Sequence, residues 1–260
     1  MKNYLFLGMI STAVFFNSCS SNDENQPTEK KLLLSKVTTN YFYKDTKTQI
    51  YIDKYEYNAQ GELIKISNNN GFTTIEYDKD KPIKLNYHFD DQHKENYYSE
   101  VYYNGNQINK IEQHYPFITD KYITLKYTYN TNGQIASSSG CWSPDCSESN
   151  TTFYTYSGNN ISVKKLSSTK FEYFYDNKLS PYTYMNKYIK IWLERFGLDH
   201  INNNNNYIAR KSTISGEVSD FVNTLTYTYE YNSSGLPVKG TGKDSDQFTF
   251  VQYNYEYITL

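Results

Sequence analysis

YEYNAQGELIKI, residues 55–66, returns as YTYNTNGQIASS from Tyr127 and as YEYNSSGLPVKG from Tyr229. Alternate residues of a strand point to opposite faces, so Tyr55 and Tyr57 share one face and Glu56 and Asn58 the other. The following Asn-x-x-Gly, Asn58 to Gly61, is turn chemistry, because Asn and Gly tolerate the left-handed backbone of a tight reversal. A second alternating run, ELIKI, leaves the turn. One phrase therefore specifies a β-hairpin.

Weaker copies start at Ile75, Val101, Tyr154 and Phe171. The polar residue after the aromatic falls at 58, 78, 104, 130, 157 and 176, intervals of 19 to 27 residues that each hold two strands and two turns. The fold class this implies is all-β: an antiparallel meander of repeated hairpins forming a strongly twisted or curled sheet, able to approach a barrel. After Asp176 the rhythm breaks until Asn232. Tyr184, Tyr188, Ile191, Trp192 and Phe196 recur there at three- and four-residue steps, predicting one short helix near residues 184–197 that ends at Gly197. The five asparagines from Asn202 to Asn206 read as a loop, a tolerant surface connector.

Residues 1–18 read as a secretory signal peptide, with Lys2 as the positive n-region and a short apolar run from Tyr4 to Phe16. That run is shorter than the roughly 20 apolar residues a spanning helix needs. FNSC, residues 16–19, resembles the lipobox of bacterial lipoproteins, which implies that Cys19 is lipidated; the other reading is an ordinary signal that carries a cysteine near its end. Residues 19–31 form a polar tether, and its Asp23 and Glu24 resemble surface-export signals of Bacteroidota lipoproteins. The expected domains are thus the signal at 1–18, the lipidated tether at 19–31 and one repetitive β domain at 32–260. The expected location is the cell envelope, as an outer-membrane lipoprotein and toward the cell surface.

Removal of residues 1–18 takes one lysine and leaves 25 basic against 28 acidic residues, a net charge of −3. So balanced a chain has no basic field for nucleic acid. With 30 tyrosines in 260 residues, tyrosine must carry much of the packing.

The pattern Tyr-(Asn/Asp)-x-x-Gly-x-(Leu/Ile), at Tyr57 to Leu63, Tyr129 to Ile135 and Tyr231 to Leu236, resembles the YD repeats that build β-shells in large bacterial surface and toxin proteins. The whole arrangement, with the YDNK element at Tyr175 to Lys178, is similar to uncharacterised Bacteroidota lipoproteins with degenerate YD-like hairpins. The resemblance implies an extended antiparallel sheet and brings no catalytic residue with it.

Cys141 and Cys146 flank WSPD in a turn-rich stretch, where a disulfide can close outside the cytoplasm if the Cα atoms come within roughly 7 Å. A free pair, or a metal or redox pair, are the other readings. HFDDQH, residues 88–93, places His88 and His93 around two aspartates but without zinc-ligand spacing, so it reads as a solvated turn and no metal is expected. No G-x-S-x-G elbow and no glycine-rich phosphate loop occurs. No catalytic residue and no cofactor is therefore assigned.

The tyrosines read as cross-strand ladders. The functional alternative is an exposed aromatic platform including Trp142 or Trp192, for sugar rings or an envelope protein. The leading expectation is a non-catalytic, lipid-anchored envelope protein that presents a tyrosine-rich sheet as a binding or scaffolding surface. A glycan-binding surface lipoprotein is the first alternative. The second is a hydrolase assembled from distant residues, with His88 or His114 beside carboxylates.

Overall fold

Alternation and turn chemistry yield sixteen strands. They are β1 (Leu32–Tyr43), β2 (Thr46–Tyr57), β3 (Leu63–Asn68), β4 (Gly71–Asp78), β5 (Lys81–Phe89), β6 (Tyr97–Asn104), β7 (Gln107–His114) and β8 (Tyr122–Tyr129), then β9 (Ile135–Ser143), β10 (Asn150–Ser157), β11 (Asn160–Leu166), β12 (Thr169–Leu179), β13 (Asn205–Ile214), β14 (Phe221–Tyr231), β15 (Pro237–Lys243) and β16 (Thr249–Thr259). The computed structural model describes residues 31–116, 122–143, 146, 150–196, 198, 201–216 and 219–260. The signal segment 1–18, Cys19, the tether before Lys31 and Gly197 lie outside the described residues. Each strand pairs antiparallel with its neighbours in sequence, and β1 pairs with β16, so the meander closes into a barrel.

The repeated turn is stereotyped. Asn58 Oδ1 accepts from the backbone N–H groups of Gln60 (3.0 Å) and Glu62 (2.9 Å), and Asn130 and Asn232 do the same in their turns. In these three turns Gly61, Gly133 and Gly235 take the left-handed φ, between 75° and 80°. The asparagine thus serves as an acceptor for its own turn, an Asx-turn role, and the glycine supplies the backbone freedom.

The second tyrosine of each phrase faces inward and meets a β-bulge. In six of the strands its hydroxyl donates to a carbonyl near the start of the preceding strand: Tyr57 to Leu34 (2.8 Å), Tyr77 to Leu63 (2.8 Å), Tyr103 to Pro82 (2.6 Å), Tyr129 to Ile108 (2.9 Å), Tyr175 to Ile161 (2.5 Å) and Tyr257 to Pro237 (2.7 Å); the Tyr231 hydroxyl donates instead to the Asp176 carboxylate. The tyrosines therefore form a girdle inside one end of the barrel, with apolar ring bodies in the core and hydroxyls tied to backbone. Leu63, Leu85, Ile108 and Ile111, on the same face, are at most 1% exposed.

The helix α1 (Lys187–Glu194) is shorter than its sequence period suggests, because Asn186 caps it by accepting from Tyr188 N–H at 2.9 Å. It is also enclosed, with six of its eight residues buried, the polar Lys190 and Glu194 among them. Asn186 Nδ2 donates to the Asp80 carbonyl (3.0 Å) and the Tyr188 hydroxyl to the Asn106 carbonyl (3.1 Å), both in turns at the girdle end. Trp192 Nε1 then reaches Ser99 Oγ (3.4 Å) partway along β6, so the helix rises from that rim into the barrel.

The asparagine run corrects its reading as a surface connector. Asn203 is fully buried and Asn206 4% exposed. Asn203 Oδ1 accepts from Ile161 N–H (2.7 Å), and Asn206 Nδ2 donates to the Leu179 carbonyl (2.9 Å). Buried backbone groups need partners, and these amides supply them where the chain re-enters the sheet.

The outer wall carries charge. Lys36 pairs with Glu256 (2.8 Å), Lys65 with Glu56 (3.1 Å), Lys170 with Glu172 (2.9 Å) and Lys239 with Glu230 (3.0 Å), each across or along neighbouring strands. Among the described residues no helix is long and apolar enough to cross a membrane, which says nothing of crossing by strands.

Candidate functional site

Because the refrain tyrosines turn inward, their rings line the lumen, while a separate set of rings, Phe72 with His88 and Tyr98 and Tyr122 about His114, stacks on the outer wall. Three cavities lie in the lumen, and the C-terminal half of α1 lines the second and third of them. The first, of about 530 Å3, is lined by Tyr41, Gln49, Tyr51, Asp53, Tyr227 and Phe250 among others. The second, of about 300 Å3, reaches Ser138, Tyr154, Lys164, Glu194 and Arg195. The third, of about 310 Å3, is bounded by Tyr87, Phe89, Tyr97, Trp192 and Phe196, and shares Asp53 with the first.

Gly240 and Gly242 make room for the rings around the first cavity. A Cβ at Gly240 would sit 2.9 Å from the Tyr229 ring, and one at Gly242 would sit 2.8 Å from both the Tyr227 and the Phe250 ring. Backbone at these positions is a floor over which aromatic rings fold.

Asp53 projects from β2 between the first and third cavities. Its carboxylate has no ion-pair or hydrogen-bond partner among the described residues, and burial pushes its pKa up to about 6. In the second cavity Lys164 Nζ lies 2.9 Å from Glu194 Oε1, and the Tyr154 hydroxyl donates to the same carboxylate at 3.0 Å. Arg195 stacks over Phe196, 5.0 Å from the ring centre, while burial lowers its pKa and its Nη1 has no hydrogen-bond partner.

The two tryptophans do not form a shared exposed platform. Trp192 is 3% exposed, inside the barrel, whereas Trp142 on β9 is 48% exposed. Trp142 instead ends an inward row of rings: Tyr87 stacks on Tyr97 (4.8 Å between centres), followed by Tyr115 (5.4 Å) and Trp142 (6.1 Å). Beside it Cys141 and Cys146 are joined, with sulfurs 2.10 Å and Cα atoms 4.9 Å apart.

His88 lies on the outer wall, stacked on Phe72 (4.7 Å), and His93 is exposed in the turn after β5. His114 lies beside Glu100 and Glu112, also on the outer wall and outside the three cavities. Sequence reading missed that trio because Glu100 comes from the neighbouring strand; the Glu-x-His spacing at 112–114 was the signal available. It also missed Asp53, Lys164, Glu194 and Arg195, whose grouping depends on barrel closure and the enclosed helix.

No protein-family model and no curated protein matches the sequence. The fold is similar to a porin-like protein from Bacteroides uniformis, with 14% identity and a TM-score of 0.56 over 86% of this chain and 96% of that one. A porin-like protein from Bacteroides vulgatus aligns with 12% identity and a TM-score of 0.47 over 88% of this chain and 100% of that one. The likeness is one of fold alone.

Proposed function

We propose that this chain is a non-catalytic, lipid-anchored binding protein of the cell envelope whose ligand, a short carbohydrate, occupies the aromatic chamber in the barrel lumen. The observation that carries the reading is the first cavity, which Tyr41, Tyr51, Tyr227 and Phe250 line beside Gln49 and Asp53. Ligand sites are concave and largely apolar, with few placed polar groups, and ring faces suit the C–H faces of sugars. The envelope location rests on the signal segment and Cys19, and accords with the Bacteroides porin-like neighbours in fold.

The outer wall favours a water-facing barrel held to the membrane by acyl chains. Lys or Arg on a lipid-facing strand costs about 2–4 kcal/mol at the bilayer midplane, and here Lys36, Lys65, Lys170 and Lys239 stand in outer-wall ion pairs. A hydrolase is the weaker reading, since His88 and His114 lie outside the cavities.

The test is a thermal-shift and calorimetric screen of the chain against uncharged and acidic oligosaccharides, with Tyr51→Ala as the chamber variant. Saturable stabilisation that Tyr51→Ala abolishes is the expected result. No stabilisation across the panel, or binding that Tyr51→Ala leaves unchanged, overturns the chamber. Retention of a Cys19→Ser variant in the membrane fraction overturns the anchor.

A further inference from the structure

We propose that Glu100, Glu112 and His114, on the outer wall of β6 and β7, form a binding site for a divalent transition-metal ion of the zinc class. Glu100 and Glu112 are directly opposed across the strand pair, and His114 follows Glu112 by two residues on the same face. Like charges directly opposite each other destabilise a sheet unless a cation lies between them. Lys110 answers part of this, with its Nζ 2.5 Å from Glu112 Oε1. The other carboxylate oxygen, Glu112 Oε2, faces His114 Nε2 at 3.9 Å, and Glu100 Oε2 faces it at 3.7 Å.

The imidazole is held for this task. Its ring is stacked between Tyr98 (4.8 Å, 15°) and Tyr122 (4.9 Å, 28°), which fixes its plane. Its Nε2 is buried without a hydrogen-bond partner and points at the two carboxylates. Tyr102 donates its hydroxyl to Glu100 Oε2 at 2.9 Å and so orients that carboxylate. Two ligands each about 2.1 Å from a tetrahedral ion lie about 3.4 Å apart. The observed separations of 3.7 and 3.9 Å need only a few tenths of an ångström of closure. The three candidate ligand atoms all lie within 4.8 Å of one another. One imidazole and two carboxylates suit zinc and its neighbours in the first transition row, with water completing the shell.

The experiment is calorimetric titration of the chain with ZnCl2, repeated with cobalt(II) and read by visible absorption. One ion per chain is expected, with an intense tetrahedral cobalt band. Glu100→Gln, on the exposed edge of the trio, should weaken binding at least tenfold while the melting temperature without metal holds or rises, since one of the two opposed charges is gone. His114→Ala should abolish uptake, and His93→Ala should change nothing. Absence of saturable uptake at 0.1 mM metal, which would mark the trio as an ion-pair cluster only, overturns the site. So does uptake that survives both Glu100→Gln and His114→Ala.

Discussion

The hydroxyl of Tyr103, on β6, lies 2.6 Å from the carbonyl oxygen of Pro82, the second residue of β5. The same reach recurs at five other tyrosines of the girdle, so the phenol of one refrain ties its strand to the start of the strand before it and links neighbouring hairpins. Tyr103→Phe removes the donor and leaves a buried carbonyl unsatisfied, at a cost of about 1–2 kcal/mol. For a domain of this length that lowers Tm by roughly 2–8 °C. Tyr184→Phe, at a side chain 43% exposed, is the control and should leave the melting curve in place.

Asn130 holds its turn through two backbone N–H groups, at Asn132 and Gln134. Asn130→Ala should cost about 1–2 kcal/mol, as loss of a comparable cap does. Asn130→Asp keeps the acceptor oxygen and should recover most of that, as measured by chemical denaturation.

Asp53 makes stability fall as pH rises. Its folded pKa is about 6, against an ordinary value of 3.8. The native state therefore binds more protons between those values, and the penalty for ionising Asp53 is complete above pH 6. Asp53→Asn should gain about 1–2 kcal/mol at pH 7.5 and nothing at pH 3.5, after discounting for partial solvation. Equal gains at both pH values would refute the assignment.

The Lys164–Glu194 pair ties β11 to the enclosed helix. Lys164→Met leaves the 5%-exposed Glu194 carboxylate without its cation and should destabilise by about 3 kcal/mol. The double variant Lys164→Met with Glu194→Leu should recover most of that loss, because a packed apolar pair avoids desolvation.

The barrel was largely legible because tyrosines two residues apart and Asn-x-x-Gly turns are local signals, and they place the hairpins marked at 58, 78, 104, 130, 157 and 232 correctly; the marker at Asp176 falls inside β12, and no hairpin turn follows it because the chain leaves the sheet for α1. Closure was less so, since the pairing of Val37 with Tyr255 depends on the accumulated twist of the whole sheet. The lumen was not legible. Residues such as Asp53 and Arg195 have ordinary neighbours in sequence, and only the curling of the sheet around α1 brings them into one space. The same curling hid Trp192, whose helical spacing reads equally well for an exposed or an enclosed ring. The asparagine run misled for a related reason, because amides that cap buried backbone look in sequence like those that face solvent.

The seam between β1 and β16 sets the order of assembly. Fifteen of the sixteen strand junctions join neighbours in sequence, whereas the last joins Leu32 to Thr259. Local pairings close short loops quickly, and a contact spanning the chain bears the largest loop-closure entropy. Folding should therefore proceed as rapid accretion of hairpins followed by slow ring closure. Until that closure β1 and β16 present unpaired edges, and those two strands are where misassembly would first nucleate.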